Sequence, residues 1–263
     1  MGSLMQRDDV MIEFEGVSKV LGGRAVLDDV SFRVNRGETF VIVGASGMGK
    51  SVTLKHMVRL MTPDSGEIRV GQDVISESRG GHLERIRERF GYLFQGGALL
   101  AWLSVLENVA LPLREKTSMG EEDIVKRASE MLGRVGLESD GAKRPSEISG
   151  GMQKRAGLAR AIVRNPEIVL YDEPTSGLDP VTSRTIDRLI RRMQNDLGVT
   201  SVVVTHDLHS ALSIGTKIAM LHNGKIIELS APDRFIHSPR PEVQAFLESQ
   251  YITKQGDWER NGE

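Results

Sequence analysis

The chain contains no cysteine among its 263 residues. That excludes disulfides, thiolate metal sites and a cysteine nucleophile, and it agrees with a reducing compartment. Net charge is nearly absent too: 34 Lys and Arg against 36 Asp and Glu leave −2, so no global field favours nucleic acid. No apolar stretch reaches the length needed to cross a bilayer. The longest apolar-rich segment, 98–113, is interrupted by Ser104, Glu107, Asn108 and Pro112. Residues 1–9 lack the apolar centre of a signal peptide. Met1-Gly2 begins like a myristoylation site, but Gln6 stands where Ser or Thr is required. The expectation is a chain that reaches a membrane only through a partner. Internal repeats, low-complexity tracts, sustained heptads and basic runs are all missing. What remains, 39% hydrophobic and 27% charged residues, suffices for one large α/β domain or two small ones.

Against these absences one segment stands out. Gly44-Ala45-Ser46-Gly47-Met48-Gly49-Lys50-Ser51 fits G-x-x-x-x-G-K-[ST] at every fixed position. The apolar run 39–43 before it reads as a buried parallel strand, and 51–60 after it as a helix. In that context glycines let the backbone wrap an anion, and successive amide N–H groups point at phosphate oxygens at the positive end of the helix dipole. Lys50 is expected to neutralise β- and γ-phosphates, and Ser51 to offer its hydroxyl to Mg²⁺.

Short strands are expected at 11–17, 30–34, 67–70, 90–94, 168–171 and 201–205, and a hairpin at 217–221 and 225–229 around Asn223-Gly224. Between 103 and 163 the pattern turns helical, with helices expected at 121–135 and 151–163. A further amphipathic helix is expected at 242–251. The organisation is a nucleotide-binding α/β core interrupted by a helical insert.

A P-loop needs an acidic partner, and Asp172-Glu173 supplies one at the end of the apolar run 168–171. Asp172 is expected to hold Mg²⁺ or its waters. Glu173, one peptide further, projects toward the attacking water as general base or water positioner. Ser149-Gly150-Gly151 opens another helix and forms a second anion site. The two phosphate-binding helix starts lie on different parts of the chain. One nucleotide needs both only if two copies meet head-to-tail, each nucleotide held between the P-loop of one copy and the Ser-Gly-Gly of the other.

In their order, the P-loop, Gln95, Ser149-Gly150-Gly151, Asp172-Glu173, Ser176-Gly177-Leu178-Asp179 and His206 resemble the motif set of the ATP-binding subunit of an ABC transporter. The resemblance implies an α/β fold: a P-loop (RecA-like) core with an antiparallel β subdomain and an inserted α-helical subdomain. It implies one ATPase domain over 11–251, with core at about 11–95 and 165–230, helical insert at about 96–164 and C-terminal helices at about 231–251. A flexible N-terminus (1–10) and a polar tail (252–263) flank it. It also implies that Gln95 reaches the metal and senses the membrane partner, that Asp179 lies at the dimer seam, and that His206 contacts the γ-phosphate. ATP and Mg²⁺ are the implied ligands. The sequence departs from the family twice. Met152 replaces the glutamine of the usual LSGGQ signature, removing any hydrogen bond that side chain made. Leu21 stands where an aromatic ring often stacks on adenine, so base selectivity is expected to be loose.

The segments 94–99 and 107–115, with the Ser-Gly-Gly-Met signature, resemble the ATPase of Mla/Mce-type lipid transporters. That likeness implies transport of phospholipid or another hydrophobic molecule, with transmembrane permease subunits, an MCE-domain protein and a STAS-domain protein as partners. It implies a peripheral location on the cytoplasmic face of the bacterial inner membrane. Ala98, Leu99, Leu100, Trp102 and Leu103 form an apolar patch expected to divide between the insert's core and a groove for a short permease helix. Three other readings compete: an importer of amino acids or other small solutes, a non-transport ABC ATPase acting on translation or DNA, and an adaptor that binds ATP only as a dimer switch.

Overall fold

The computed structural model describes residues 9–250. The expectations for 1–8 and for the polar tail 252–263 lie outside those residues.

The centre is a six-stranded sheet in the order β10-β9-β3-β8-β7-β6. β3 (Thr39–Val43), β7 (Ile168–Asp172) and β8 (Thr200–Thr205) are buried at every position, as parallel strands covered on both faces must be. β6 (Phe90–Leu93) and β9 (Lys217–His222) continue the parallel set on either side. β10 (Lys225–Ser230) closes it as an antiparallel edge. The turn between β9 and β10 is Asn223-Gly224, both with positive φ, as a two-residue hairpin of matching twist requires.

Successive side chains of the central strands feed two different cores. Val41, Val43, Val169, Tyr171 and Val203 pack toward the helices. Phe40, Ile42, Leu170, Val202 and Val204 pack toward a second, antiparallel sheet in the order β2-β1-β4-β5. Here β1 is Val10–Leu21, β2 Arg24–Asn35, β4 Ser65–Val70 and β5 Asp73–Val74. Sequence pattern located only 11–17 and 30–34 of the first two. Their register shifts around Phe14, Val17 and Lys19 interrupt the period-2 alternation that reveals a strand. Val10 already pairs with Asn35, so the antiparallel sheet begins inside the segment expected to be flexible.

Helix α1 (Lys50–Met57) follows β3 directly and ends earlier than the expected 60. α2 (Gly80–Glu88) lies before β6. Between β6 and β7 come α3 (Val105–Lys116), α4 (Glu121–Arg134) and α5 (Gly150–Ile162). α3 starts with a capping box: Ser104 Oγ accepts from Glu107 N, and the Glu107 carboxylate accepts from Ser104 N. α4 and α5 overlap the helices expected at 121–135 and 151–163. α6 (Pro180–Leu197) and α7 (Leu208–Ile214) are not among the expected helices, whereas α8 (Pro232–Phe235) falls in the C-terminal helical segment expected at about 231–251. α9 (Pro241–Glu248) is the observed part of the helix expected at 242–251. No helix among the described residues is long and apolar enough to cross a membrane.

Candidate active site

The C-terminal end of β3 runs into the P-loop, which ends at the first turn of α1. Two of its glycines are required by geometry. Gly44 has φ +152°, and a Cβ there would sit 2.4 Å from Leu221 O. Gly49 caps α1 at φ +97°, and a Cβ would sit 2.8 Å from Val26 O. Ala45, Ser46 and Gly47 are exposed at the loop crest, and Met48 is half-buried. Leu21 and Val26 from the antiparallel sheet, Ser46, Gly47, Gly49, Lys50, Ser51, Gln95 and Glu173 line one cleft of about 390 Å³, within the size range of small-ligand sites. Leu21 therefore shares a cleft with the P-loop.

Lys50 is buried, and its ammonium donates to Gly44 O (2.8 Å) and Ala45 O (3.1 Å). It also lies 3.3 Å from Glu173 Oε1. A cation held by loop carbonyls and already facing a carboxylate is aimed at anions in this cleft. Ser51 Oγ donates to Asp172 Oδ1 at 2.7 Å, bringing the hydroxyl and the carboxylate of the expected metal pair together. Among the described residues no cluster of three or more His, Cys, Asp or Glu side chains forms a metal cage. One hydroxyl and one carboxylate suit Mg²⁺, which keeps waters and takes phosphate oxygens for its remaining positions.

Glu173 follows Asp172 at the end of β7. Its φ is +48°, a conformation that costs an ordinary residue about 1–3 kcal/mol and persists only where the surroundings enforce it. Glu173 N donates to Val204 O (2.9 Å), and Glu173 Oε2 accepts from His206 N (3.2 Å) and lies 2.7 Å from His206 Nδ1. His206 comes from the end of β8, the strand beside β7. The carboxylate is thus aimed by a lysine on one side and a histidine on the other. Gln95 Nε2 donates to Ser176 Oγ (3.3 Å), and Ser176 N closes the following turn onto Glu173 O (3.2 Å). The Gln95 side chain is thereby tied to the turn after Glu173 rather than to Asp172.

Two contacts at this site were not expected. Lys154, on α5, is buried and donates to both Gln95 O and Glu173 O (3.0 Å to the latter). Flanked by Gln153 and Arg155, it carries no sequence signal of burial. Tyr92, on β6, brings a buried hydroxyl near Asp172 without a hydrogen bond to it; burial, then that carboxylate, pushes the phenol pKa up. The Tyr92 ring stacks on Phe94 with centroids 4.0 Å apart, as two residues on one strand face can.

Ser149, Gly150 and Gly151 open α5, well apart in sequence from the P-loop and absent from the lining of its cleft. Ser149 and Gly150 are exposed, and Ser149 Oγ accepts from Met152 N (3.3 Å). Gly151 is buried, its Cα facing Thr182 so closely that a Cβ would meet Cγ2 at 2.5 Å. Met152 is half-buried against the helical core. Asp179 caps α6, accepting from Val181 N and Thr182 N (both 3.0 Å). Bonds from Thr182, first among them, hold its carboxyl below the usual range. Next to it Val181 is 75% exposed, an apolar side chain bare on the surface that carries Ser176, Gly177, Leu178 and His206.

The expected apolar patch splits. Trp102 is 72% exposed and Ala98 is exposed, whereas Leu99, Leu100 and Leu103 are half-buried. A groove of about 440 Å³ runs beside it, lined by Tyr92, Phe94, Ala98, Pro112, Arg160 and Arg164 among others.

The family described as ABC transporter matches residues 27–176, from β2 across the P-loop, the insert and the acidic pair. The chain belongs to the ABC transporter ATP-binding family. It is an ATPase of that class and binds nucleotide. It is 40% identical over 243 residues to the "Probable ribonucleotide transport ATP-binding protein mkl" of Mycobacterium tuberculosis, covering 92% of this chain and 68% of that one. It is 38% identical over 239 residues to the "Intermembrane phospholipid transport system ATP-binding protein MlaF" of Escherichia coli, covering 90% and 88%. Among solved structures it resembles an ATP-binding cassette captured as a dimer in a post-hydrolysis state with ADP and Pi. That likeness has a TM-score of 0.78 and 34% identity, over 84% of this chain and 99% of that one. The ABC fold, a P-loop core with antiparallel and helical parts, is therefore the fold of this chain. The dimeric relatives support pairing of two copies, and the transport names support permease partners.

Proposed function

We propose that this chain hydrolyses ATP for an Mla/Mce-type transporter that moves phospholipid or another hydrophobic molecule across or between bacterial envelope membranes. The 38% identity to the Escherichia coli phospholipid-transport subunit, running through 88% of that protein, carries the cargo class. The mycobacterial relative's name gives a ribonucleotide instead. The exposed Trp102 and the groove lined by Phe94, Ala98 and Pro112 support a permease partner, and favour this reading over a free-standing ATPase. The chain then works peripherally, at the cytoplasmic face of the inner membrane, and MCE-domain and STAS-domain proteins belong to the assembly.

In this reading the P-loop amides and Lys50 hold the β- and γ-phosphates. Ser51 and Asp172 would hold Mg²⁺, joined by Gln95 once its side chain leaves Ser176, and the ion would neutralise charge on phosphate oxygens. Glu173 takes a proton from, or orients, the attacking water, and His206 holds Glu173 and contacts the γ-phosphate. Ser149, Gly150, Gly151 and Met152 complete the site of a second copy, and Asp179 with Val181 lies along the seam between the two. Leu21 contacts the base. Purification of the tagged chain from detergent-solubilised membranes, followed by mass spectrometry of what it retains, tests the proposal. Expected are a permease and an MCE-domain protein. Recovery of a solute-binding protein with an amino-acid permease would overturn it.

A further inference from the structure

Helix α5 holds the segment after β6 at three points on one side. Lys154 donates to Gln95 O, and Arg160 donates to Gly97 O (2.9 Å) and Ala98 O (2.7 Å). Between them Gly157 lets the backbones touch: a Cβ there would sit 3.1 Å from Gly97 O. Of these anchors, Lys154 alone also reaches the catalytic strand end, through Glu173 O. An ammonium removed from water and given two main-chain carbonyls makes bonds that are costly to lose.

Glu173 is strained in its backbone, one of six non-glycine residues with positive φ among those described; Ala98, at φ +47° in the segment after Gln95, is another. Glu173 N is bonded to Val204 O, and Glu173 O to Ser176 N and Lys154 Nζ. Such a conformation survives only while its neighbours over-determine it. Gln95 is joined to the same turn twice, by its side chain through Ser176 and by its carbonyl through Lys154.

We propose that Lys154 is a positioning residue that couples the Gln95 segment to the carboxylate of Glu173. A shift of residues 95–98 moves the ammonium, loosens its bond to Glu173 O, and lets the strained turn swing the carboxylate off its line. Because Lys154 sits on the helix that Ser149 opens, the same side chain also links that helix start to this copy's own Glu173. The proposal rests on the reading of Glu173 as base or water positioner.

The test uses the purified full chain with Lys154→Met, Lys154→Gln, Glu173→Gln and the Lys154→Met/Glu173→Gln double variant. Steady-state kcat and KM for MgATP, affinity for a fluorescent ATP analogue, and Tm are measured. Lys154→Met is expected to lower kcat at least tenfold with KM and nucleotide affinity within twofold. Lys154→Gln, which keeps a donor, is expected to recover part of the loss. The double variant is expected to be no slower than Glu173→Gln alone, because Lys154 acts through that carboxylate. Wild-type kcat in Lys154→Met overturns the proposal, and so does a double variant that multiplies the two losses. Parallel loss of Tm and nucleotide affinity in both Lys154 variants also overturns it, making the residue a structural pin. If Glu173→Gln itself keeps wild-type kcat, the assigned role of Glu173 has failed instead.

Discussion

Replacing Glu173 by Gln should separate chemistry from binding. The substitution keeps the shape of the side chain and leaves the backbone at φ +48° equally strained. The Gln carbonyl still accepts from His206 N, as Glu173 Oε2 does at 3.2 Å. What disappears is a group able to take a proton, and general-base catalysis contributes about 10²–10⁴-fold. That corresponds to about 2.7–5.4 kcal/mol of barrier at 1.36 kcal/mol per tenfold. Binding should not suffer, because the carboxylate 3.3 Å from the Lys50 ammonium is removed and the lysine is freed for phosphate. Coupled-enzyme ATPase assays give kcat, and titration of a fluorescent ATP analogue gives affinity. Affinity at or above wild type, with kcat reduced at least a hundredfold, is the expected pair, accompanied by a longer-lived dimer in ATP. A kcat within tenfold of wild type would refute the assignment of Glu173, as would nucleotide affinity falling in step with kcat.

Trp102→Glu changes a side chain that is 72% exposed, so unfolding free energy should change by no more than about 0.5 kcal/mol, as for surface substitutions generally. The permease retained on the tagged chain from solubilised membranes should fall several-fold; unchanged retention would remove Trp102 from the docking surface. Asp179→Ala removes the cap of α6. The Asp179 pKa is lowered in the fold below its ordinary 3.8, so its contribution is present above pH 3.8 and is lost as pH falls through the lower folded value. The variant should melt below wild type at neutral pH, with the gap closing in acid below 3.8; a gap that persists there would mean the carboxylate charge is not what caps the helix.

The parts of the site legible in the sequence are those written contiguously. The P-loop glycines, Lys50, Ser51 and the Asp172-Glu173 pair each sit beside an apolar run that ends at the site, so motif and strand announce each other. Ser149-Gly150-Gly151 is legible as a helix start, whereas His206 and Gln95 are single residues that only their order along the chain singles out. Lys154 and Tyr92 were illegible because their contacts exist only after packing. Lys154 is 59 residues from Gln95 in sequence, and Tyr92 meets Asp172 across neighbouring strands. Among the elements, α6 has a helical stripe in the sequence, Ile186, Ile190 and Met193 between the Asp179-Pro180 start and Gly198, yet is not among the expected helices. The twelve-residue strands β1 and β2 were half seen because bulges reset their alternation. The fold class itself was readable, since wholly apolar short strands between helical stretches leave few alternatives to a covered parallel sheet.

The central claim is that each nucleotide is hydrolysed between the P-loop of one copy and the Ser149 helix start of another. Two inactive variants mixed in equal amounts test it most directly: Lys50→Ala, which spoils one copy's phosphate cradle, and Ser149→Arg, which blocks the other copy's exposed helix start. In a two-fold dimer each mixed pair keeps one intact site, so the mixture should regain about a quarter of wild-type turnover while each variant alone stays inactive. Wild-type turnover by Ser149→Arg alone, or a mixture no more active than its components, would contradict the account.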